Sequence, residues 1–118
     1  MNTDTCIFCK IARGEVPSRK VFENDEMLAL HDINPMAPVH LLLIPREHIA
    51  SMAGLQEKHR NLVGNMMLVA NRLAAEQGSP DGFRLIVNTG KIGRQDVYHL
   101  HMHVIGGGNP LPAMITKS

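Results

Sequence analysis

The sequence predicts an α+β fold, a meander of about five strands with one long helix on a face, and three observations predict it. Only one stretch, Gln56 to Gln77, repeats its apolar residues with a helical period, about five short segments read as strands, and most connections between them are short. A parallel α/β sheet needs a crossover, usually a helix, after nearly every strand, and this chain offers one long helix. Its 118 residues, 44% hydrophobic and 19% charged, have the size and balance of a single globular domain, expected over 1–118.

Ile7 to Ile11 is a short apolar patch that runs into Arg13-Gly14-Glu15-Val16-Pro17-Ser18, so a short helix and then a break are expected. Lys20–Glu23 and Met27–His31, separated by Asn24-Asp25-Glu26, suit a β-hairpin. Two prolines exclude a regular element from Asp32 to Pro38. His40-Leu41-Leu42-Leu43-Ile44 is a continuous apolar run, the mark of a central strand covered on both faces, and it stops at Pro45. In the long helix, Leu62, Met66, Ala70 and Leu73, flanked by Val63, Met67 and Ala74, form one broad apolar face, ended by Gly78 with Pro80 beyond. Phe83 to Val87 reads as a strand, Asn88 to Gln95 as a glycine-containing loop, and Tyr98 to Ile105 as the last strand before Gly106-Gly107-Gly108. Met52, Met66 and Met67 read as core filler, and His59 as a solvated residue on the helix's polar side. Only the two ends read as loose.

Twelve Lys+Arg against eleven Asp+Glu leave a net charge of +1, which gives no bulk attraction for nucleic acid or an anionic membrane. Neither is expected as a partner, and any phosphate must be captured locally. The longest apolar run, Leu41 to Pro45, is strand-sized, far below the roughly 20 residues that cross a bilayer. Met1-Asn2-Thr3-Asp4-Thr5 carries an acid and no basic residue, so no secretory leader and a cytoplasmic setting are expected. In a reducing compartment Cys6 and Cys9 point to metal or redox chemistry rather than to a disulfide.

His99, His101 and His103 alternate with Leu100, Met102 and Val104, and in a strand alternate residues share a face. With 7 histidines in 118 residues, chance would place such a triple roughly once in forty sequences, so a use for the row is the better reading. One zinc ion cannot easily take all three, because residues four apart on a strand are about 13 Å apart at the backbone while zinc–imidazole bonds are about 2 Å. The row matches an extended phosphate-containing substrate, with one imidazole attacking phosphorus and its neighbours donating hydrogen bonds or carrying the proton to the leaving group.

His99-Leu100-His101-Met102-His103-Val104-Ile105 resembles the signature of the histidine-triad (HIT) family, HINT branch. Supporting matches run almost end to end: Ile7-Phe8-Cys9-Lys10-Ile11, His31 to His40, Ile44-Pro45, Val87-Asn88 and Val97-Tyr98. The resemblance implies a five-stranded antiparallel sheet that joins a second copy as a ten-stranded homodimer. It also implies hydrolysis of purine nucleoside phosphoramidates such as adenylyl-lysine or adenosine phosphoramidate to a mononucleotide, AMP or GMP. By position His101 is the nucleophile, the His99 carbonyl holds its Nδ1 proton, and His103 and His40 contact phosphoryl oxygens and assist proton transfer. Asp32 matches the ribose-binding carboxylate. Phe8, Val16, Leu30, His31 and Ile33 match the base lining, and Asn88, Gln95, Asp96 and Val97 the phosphate and leaving-group side. No cofactor is required for this chemistry. The other readings are a nucleotide-binding regulatory or scaffold protein, a zinc-dependent hydrolase with its metal at the triad, and a dinucleoside polyphosphate hydrolase.

The chain departs from that pattern at Gly93-Arg94-Gln95-Asp96, where many HINT proteins read Gly-Gly-Gln-Ser. Aspartate in place of serine puts an anion near the leaving group, which repels acidic leaving groups or favours a protonated amine. Arg94 reads either as a cation for the phosphate or as an exposed loop residue. Cys6-x-x-Cys9 supplies two of the four ligands of a structural zinc. Resemblance to the family's cysteine-bearing bacterial members supplies the rest, a set of Cys6, Cys9, His48 and His99. Two reduced, buried thiols are the alternative.

Overall fold

The computed structural model describes residues 3–114, so Met1-Asn2 and 115–118, at the ends read as loose, lie outside the described residues. Ile7–Ala12 forms α1, Lys20–Glu23 β1, Met27–His31 β2, Val39–Pro45 β3, Arg60–Glu76 α2, Phe83–Ile86 β4 and Met102–Gly106 β5. Among the described residues no helix is long and apolar enough to cross a membrane.

The hairpin forms where it is expected. Asn24 Oδ1 accepts from the Glu26 and Met27 N–H groups at 2.9 Å each, and this side-chain mimic of a turn brings β1 and β2 together. The sheet order is β1-β2-β3-β5-β4, antiparallel throughout. The meander therefore holds only for the first three strands. α2 carries the chain from β3 to an outer position, and β5 returns to fill the gap between β3 and β4.

Alternation along each strand sorts the residues into two layers. Met27, Ala29, Val39, Leu41, Leu43, Met102 and Val104 pack under α2 against Met66, Ala70, Leu73 and Ala74. Leu28, Leu30, Leu42 and Ile44 face the other way and pack with Cys6, Phe8, Cys9 and Ile11 of the α1 segment. β3 is buried along its whole length, as a central strand covered on both faces must be. α2 ends in a Schellman-like turn, in which the Ser79 N–H reaches the Ala74 carbonyl at 2.8 Å and Gly78 takes φ +117°.

Four details of the sequence reading are corrected. The last strand begins at Met102, not at Tyr98, because its ladder with β3 ends at the Leu43–Met102 pair. Continuing the register would oppose residues 101 and 100 to Ile44 and to Pro45, which has no N–H to give, and the Leu100 N–H bonds instead to the Ile49 carbonyl at 2.6 Å. The long helix begins at Arg60, preceded by 3₁₀ turns at Met52–Gly54 and Glu57–His59. His59 is buried rather than solvated: its Nδ1 accepts from the Gln56 N–H and its Nε2 meets Glu47 Oε2, both at 2.9 Å. Met66 is core as expected, but Met67, about 100° further round the helix, and Met52, in the first 3₁₀ turn, are exposed.

Candidate active site

The expected histidine row is present but divided. His101, His103 and His40 form one group. The His101 and His103 ring centroids are 5.1 Å apart and those of His40 and His103 5.2 Å, all on the α1 side of the sheet where Leu42 stands opposite His103. His99 turns to a second group with Cys6, Cys9 and His48.

Hydrogen-bond direction fixes where the protons sit in the first group. A carbonyl only accepts, so the 2.8 Å contact from His101 Nδ1 to the His99 carbonyl places a proton on Nδ1, and in the neutral ring the lone pair is then on Nε2. The Met36 N–H donates to His40 Nδ1 at 2.9 Å, so the proton of neutral His40 is on Nε2. That nitrogen lies 2.9 Å from His103 Nδ1 and 3.3 Å from Asp32 Oδ2. Donation to His103 Nδ1 leaves the His103 proton on Nε2. Asp32 is itself oriented, since its Oδ1 accepts from the Asn34 N–H at 2.7 Å.

Burial disfavours the charged forms of His40 and His103. Desolvation lowers the His40 pKa against the raising pull of Asp32. It lowers that of His103 too, aided by His101 and His40 and opposed by Asp32 and Asp96. The arrangement presents a nucleophilic nitrogen at His101 next to a hydrogen-bond donor at His103.

In the second group the His99 Nε2–H donates to the Pro45 carbonyl at 2.7 Å, so its Nδ1 lone pair points at Cys6 Sγ, 3.3 Å away, Cys9 Sγ at 3.4 Å and His48 Nδ1 at 3.2 Å. Cys9 Sγ is 3.2 Å from His48 Nδ1, and the four ligand atoms lie within 4.8 Å of one another. Tetrahedral zinc would set N···N and N···S edges at about 3.4 and 3.6 Å, so the donor set and spacing fit that ion. Burial, with the adjacent Cys6, pushes the Cys9 thiol up to about 11, and burial lowers the pKa of His99.

A cavity of about 460 Å³ opens beside Asp32 and is walled by Ile7, Ile11, Val16, Leu30, His31 and Ile33. The sequence reading named the last four and missed Ile7 and Ile11, whose i, i+4 spacing on α1 places them on one face. Ser18 Oγ, in the same wall, is the one buried side-chain N or O among the described residues without a hydrogen-bond partner. Phe8 does not line this cavity. It is buried edge-on against His99 and His101, with centroid distances of 5.9 and 5.2 Å.

On the opposite side, Asn88 is half-buried, and Asp96 Oδ1 accepts from the Val97 N–H at 2.9 Å and lies 3.4 Å from His101 Nε2. Val97 packs against the α1-side core. Gln95 is buried with its amide fully engaged: Oε1 accepts from the Gly90 N–H at 2.9 Å, and Nε2 donates to the carbonyls of Ala50 at 2.8 Å and Val97 at 2.9 Å. These bonds shape the loop. Arg94 is exposed, with left-handed backbone at φ 58°, the loop-residue reading.

Comparison with known proteins agrees with this geometry. The family model described as scavenger mRNA decapping enzyme, C-term binding, matches residues 5–118. The protein HitA of Neisseria gonorrhoeae is 50% identical over 103 residues, 87% of this chain and 96% of its own length. Adenylylsulfatase HINT1 of Arabidopsis thaliana is 44% identical over 103 residues, 86% of this chain and 70% of that protein. Among solved structures, a histidine triad protein from Clostridium difficile is 43% identical and superposes with TM-score 0.89, covering 98% of this chain and 100% of that one. A zinc-bound histidine triad family protein from Mycobacterium smegmatis is 30% identical with TM-score 0.79, covering 92% of this chain and 78% of that one.

Proposed function

The chain belongs to the histidine-triad family, and from that premise we propose that it hydrolyses the P–N bond of purine nucleoside phosphoramidates through a covalent intermediate on His101. The observation that carries the reading is the His101 Nδ1–H bond to the His99 carbonyl, which in the neutral ring leaves the Nε2 lone pair for attack, with the His103 ring 5.1 Å away.

His101 Nε2 attacks the α-phosphorus and forms an N–P bond while the phosphorus–amine bond breaks. The departing amine takes its proton from a water in the site, while the His103 Nε2–H, backed by His40, donates to a phosphoryl oxygen. The hydroxide left behind then attacks phosphorus, breaks the His101–P bond and releases the mononucleotide. Asp32 turns to the ribose hydroxyls, the cavity walled by Ile7, Ile11, Val16, Leu30, His31 and Ile33 takes the base, and Asn88, unpaired among the described residues, meets the phosphate. Phe8 backs the nucleophile's ring, and Gln95 and Val97 hold the loop that carries Asp96.

Cys6, Cys9, His48 and His99 would hold a zinc ion, whose chemistry there is structural: it neutralises two thiolates and ties α1 to the segment before β5. Residues 1–118 work as one domain. Two copies join edge to edge as a homodimer, β1 and β4 being the two free edges of the sheet. In the test, His101→Ala should lower turnover of adenosine phosphoramidate about a thousandfold or more while AMP binding persists. An adenylyl group should be recoverable on His101 of the unaltered protein. A variant with near-normal kcat overturns the assignment.

A further inference from the structure

Among the described residues, the group around the nucleophile contains two carboxylates and no lysine or arginine paired with them. Asp32 stands on one side of the histidines and Asp96 on the other, near enough that both favour the protonated form of His103. A site for an anionic phosphate needs positive charge from somewhere, and carboxylates do not supply it. Asp96 is also held in place. The Val97 N–H fixes Oδ1 from behind, so the carboxylate is presented 3.4 Å from His101 Nε2 rather than swinging in solvent. Among the described residues no lysine or arginine forms an ion pair with it, Lys91 and Arg94 of the same loop included. Its side chain is 75% exposed, so it faces solvent beside the nucleophile, within reach of a group leaving phosphorus there.

We propose that Asp96 selects leaving groups by charge, favouring conjugates whose departing amine carries a further cation over those carrying an anion, the substrate's own ammonium supplying the charge this site lacks. The inference rests on the hydrolase reading above and specifies its substrate class. Two unit charges about 6 Å apart in a water-like dielectric change a rate roughly threefold, so exchanging a cation for an anion on the leaving group is worth on the order of tenfold.

The test uses two adenylates with the same P–N bond, one made from an alkyl diamine that keeps a free ammonium and one from an ω-amino acid of equal length that keeps a free carboxylate. Full-length protein and its Asp96→Asn and Asp96→Ser variants are compared by the ratio of the two kcat/KM values at low salt. The unaltered protein should prefer the ammonium conjugate on the order of tenfold. Both variants should bring the ratio near one, and added salt should shrink it in the unaltered protein only. A carboxylate that merely held His101 in an ion pair would, once neutralised, speed both substrates alike. An unmoved ratio of that kind, or no preference in the unaltered protein, overturns the proposal and leaves the hydrolase reading standing. If neither conjugate is turned over, the hydrolase reading falls by itself, and the same ratio taken from dissociation constants still decides the charge selection: a preference lost in the variants upholds it, equal affinities refute it.

Discussion

Gln95 separates two roles that look alike in sequence, a residue that touches the ligand and one that builds the loop around it. Gln95→Ala removes three hydrogen bonds, to Gly90 N–H, the Ala50 carbonyl and the Val97 carbonyl, all between 2.8 and 2.9 Å, from a residue only 7% exposed. Net contributions of about 1 kcal/mol each, with three backbone groups left partly unsatisfied, put the loss at roughly 2–4 kcal/mol. For a chain of this length that is a fall in melting temperature of roughly 10 °C. Guanidinium unfolding at fixed protein concentration, so that any dimerisation contributes equally, reads the first number and a thermal scan the second. Because the Val97 backbone also orients Asp96, kcat should fall while KM changes little. A loss of stability below about 1 kcal/mol together with a large rise in KM would mean that Gln95 binds the substrate directly and that this reasoning is wrong.

Two further outcomes follow from the buried histidines and cysteines. Chelation should lower the melting temperature and zinc should restore it, the unfolding free energy rising by about 2.7 kcal/mol at a hundredfold excess over the dissociation constant; Cys9→Ser should abolish this dependence, and a melting temperature indifferent to both treatments argues for two simple buried thiols. His40 and His103 have lowered pKa values in the fold, chiefly through burial, so below the unfolded value near 6.5 the unfolded chain binds protons that the native state refuses. Their contribution is complete above that value and is lost as the pH falls through it, so in chelated protein the denaturation midpoint should drop between about pH 7 and pH 5, before carboxylates titrate, and a flat or rising midpoint refutes the neutral-histidine reading.

How much of this was legible depends on the distance over which each cause acts. The hairpin and β3 were readable because their signals are local: Asn24-Asp25-Glu26 between two strand-like runs, and an unbroken apolar stretch from Leu41 to Ile44. The burial of His59 was not, since what draws it inward is Glu47, twelve residues earlier across the 3₁₀ turns. The start of β5 was misplaced for the same reason. The proline that ends its ladder lies on β3, and nothing within residues 98–105 announces it. Of the second cluster, Cys6 and Cys9 were visible by spacing. His48 and His99 were tied to them only by likeness to relatives, because the fold alone closes the distance between residues 9 and 48.

The divided histidine row has a consequence that alternation by itself could not give. His99 contributes its side chain to the cysteine cluster and its carbonyl to His101, so one residue is held by Cys6, Cys9, His48 and Pro45 while it holds the nucleophile. The proton on His101 Nδ1 stays there only while that carbonyl stays in place, and a shift that lengthened the 2.8 Å bond would let the imidazole exchange tautomers and bury its nucleophilic lone pair. A second chain of hydrogen bonds, from the Met36 N–H through His40, sets the proton on His103 in the same way. Side-chain identity determines that imidazoles are present. Which of their nitrogens attack and which donate is decided by two backbone groups, the carbonyl of His99 and the amide of Met36, and replacing either side chain leaves the responsible atom in the chain. The reactivity of the site is therefore sensitive to whatever moves the loop before β3 or the segment before β5, even where no histidine is altered.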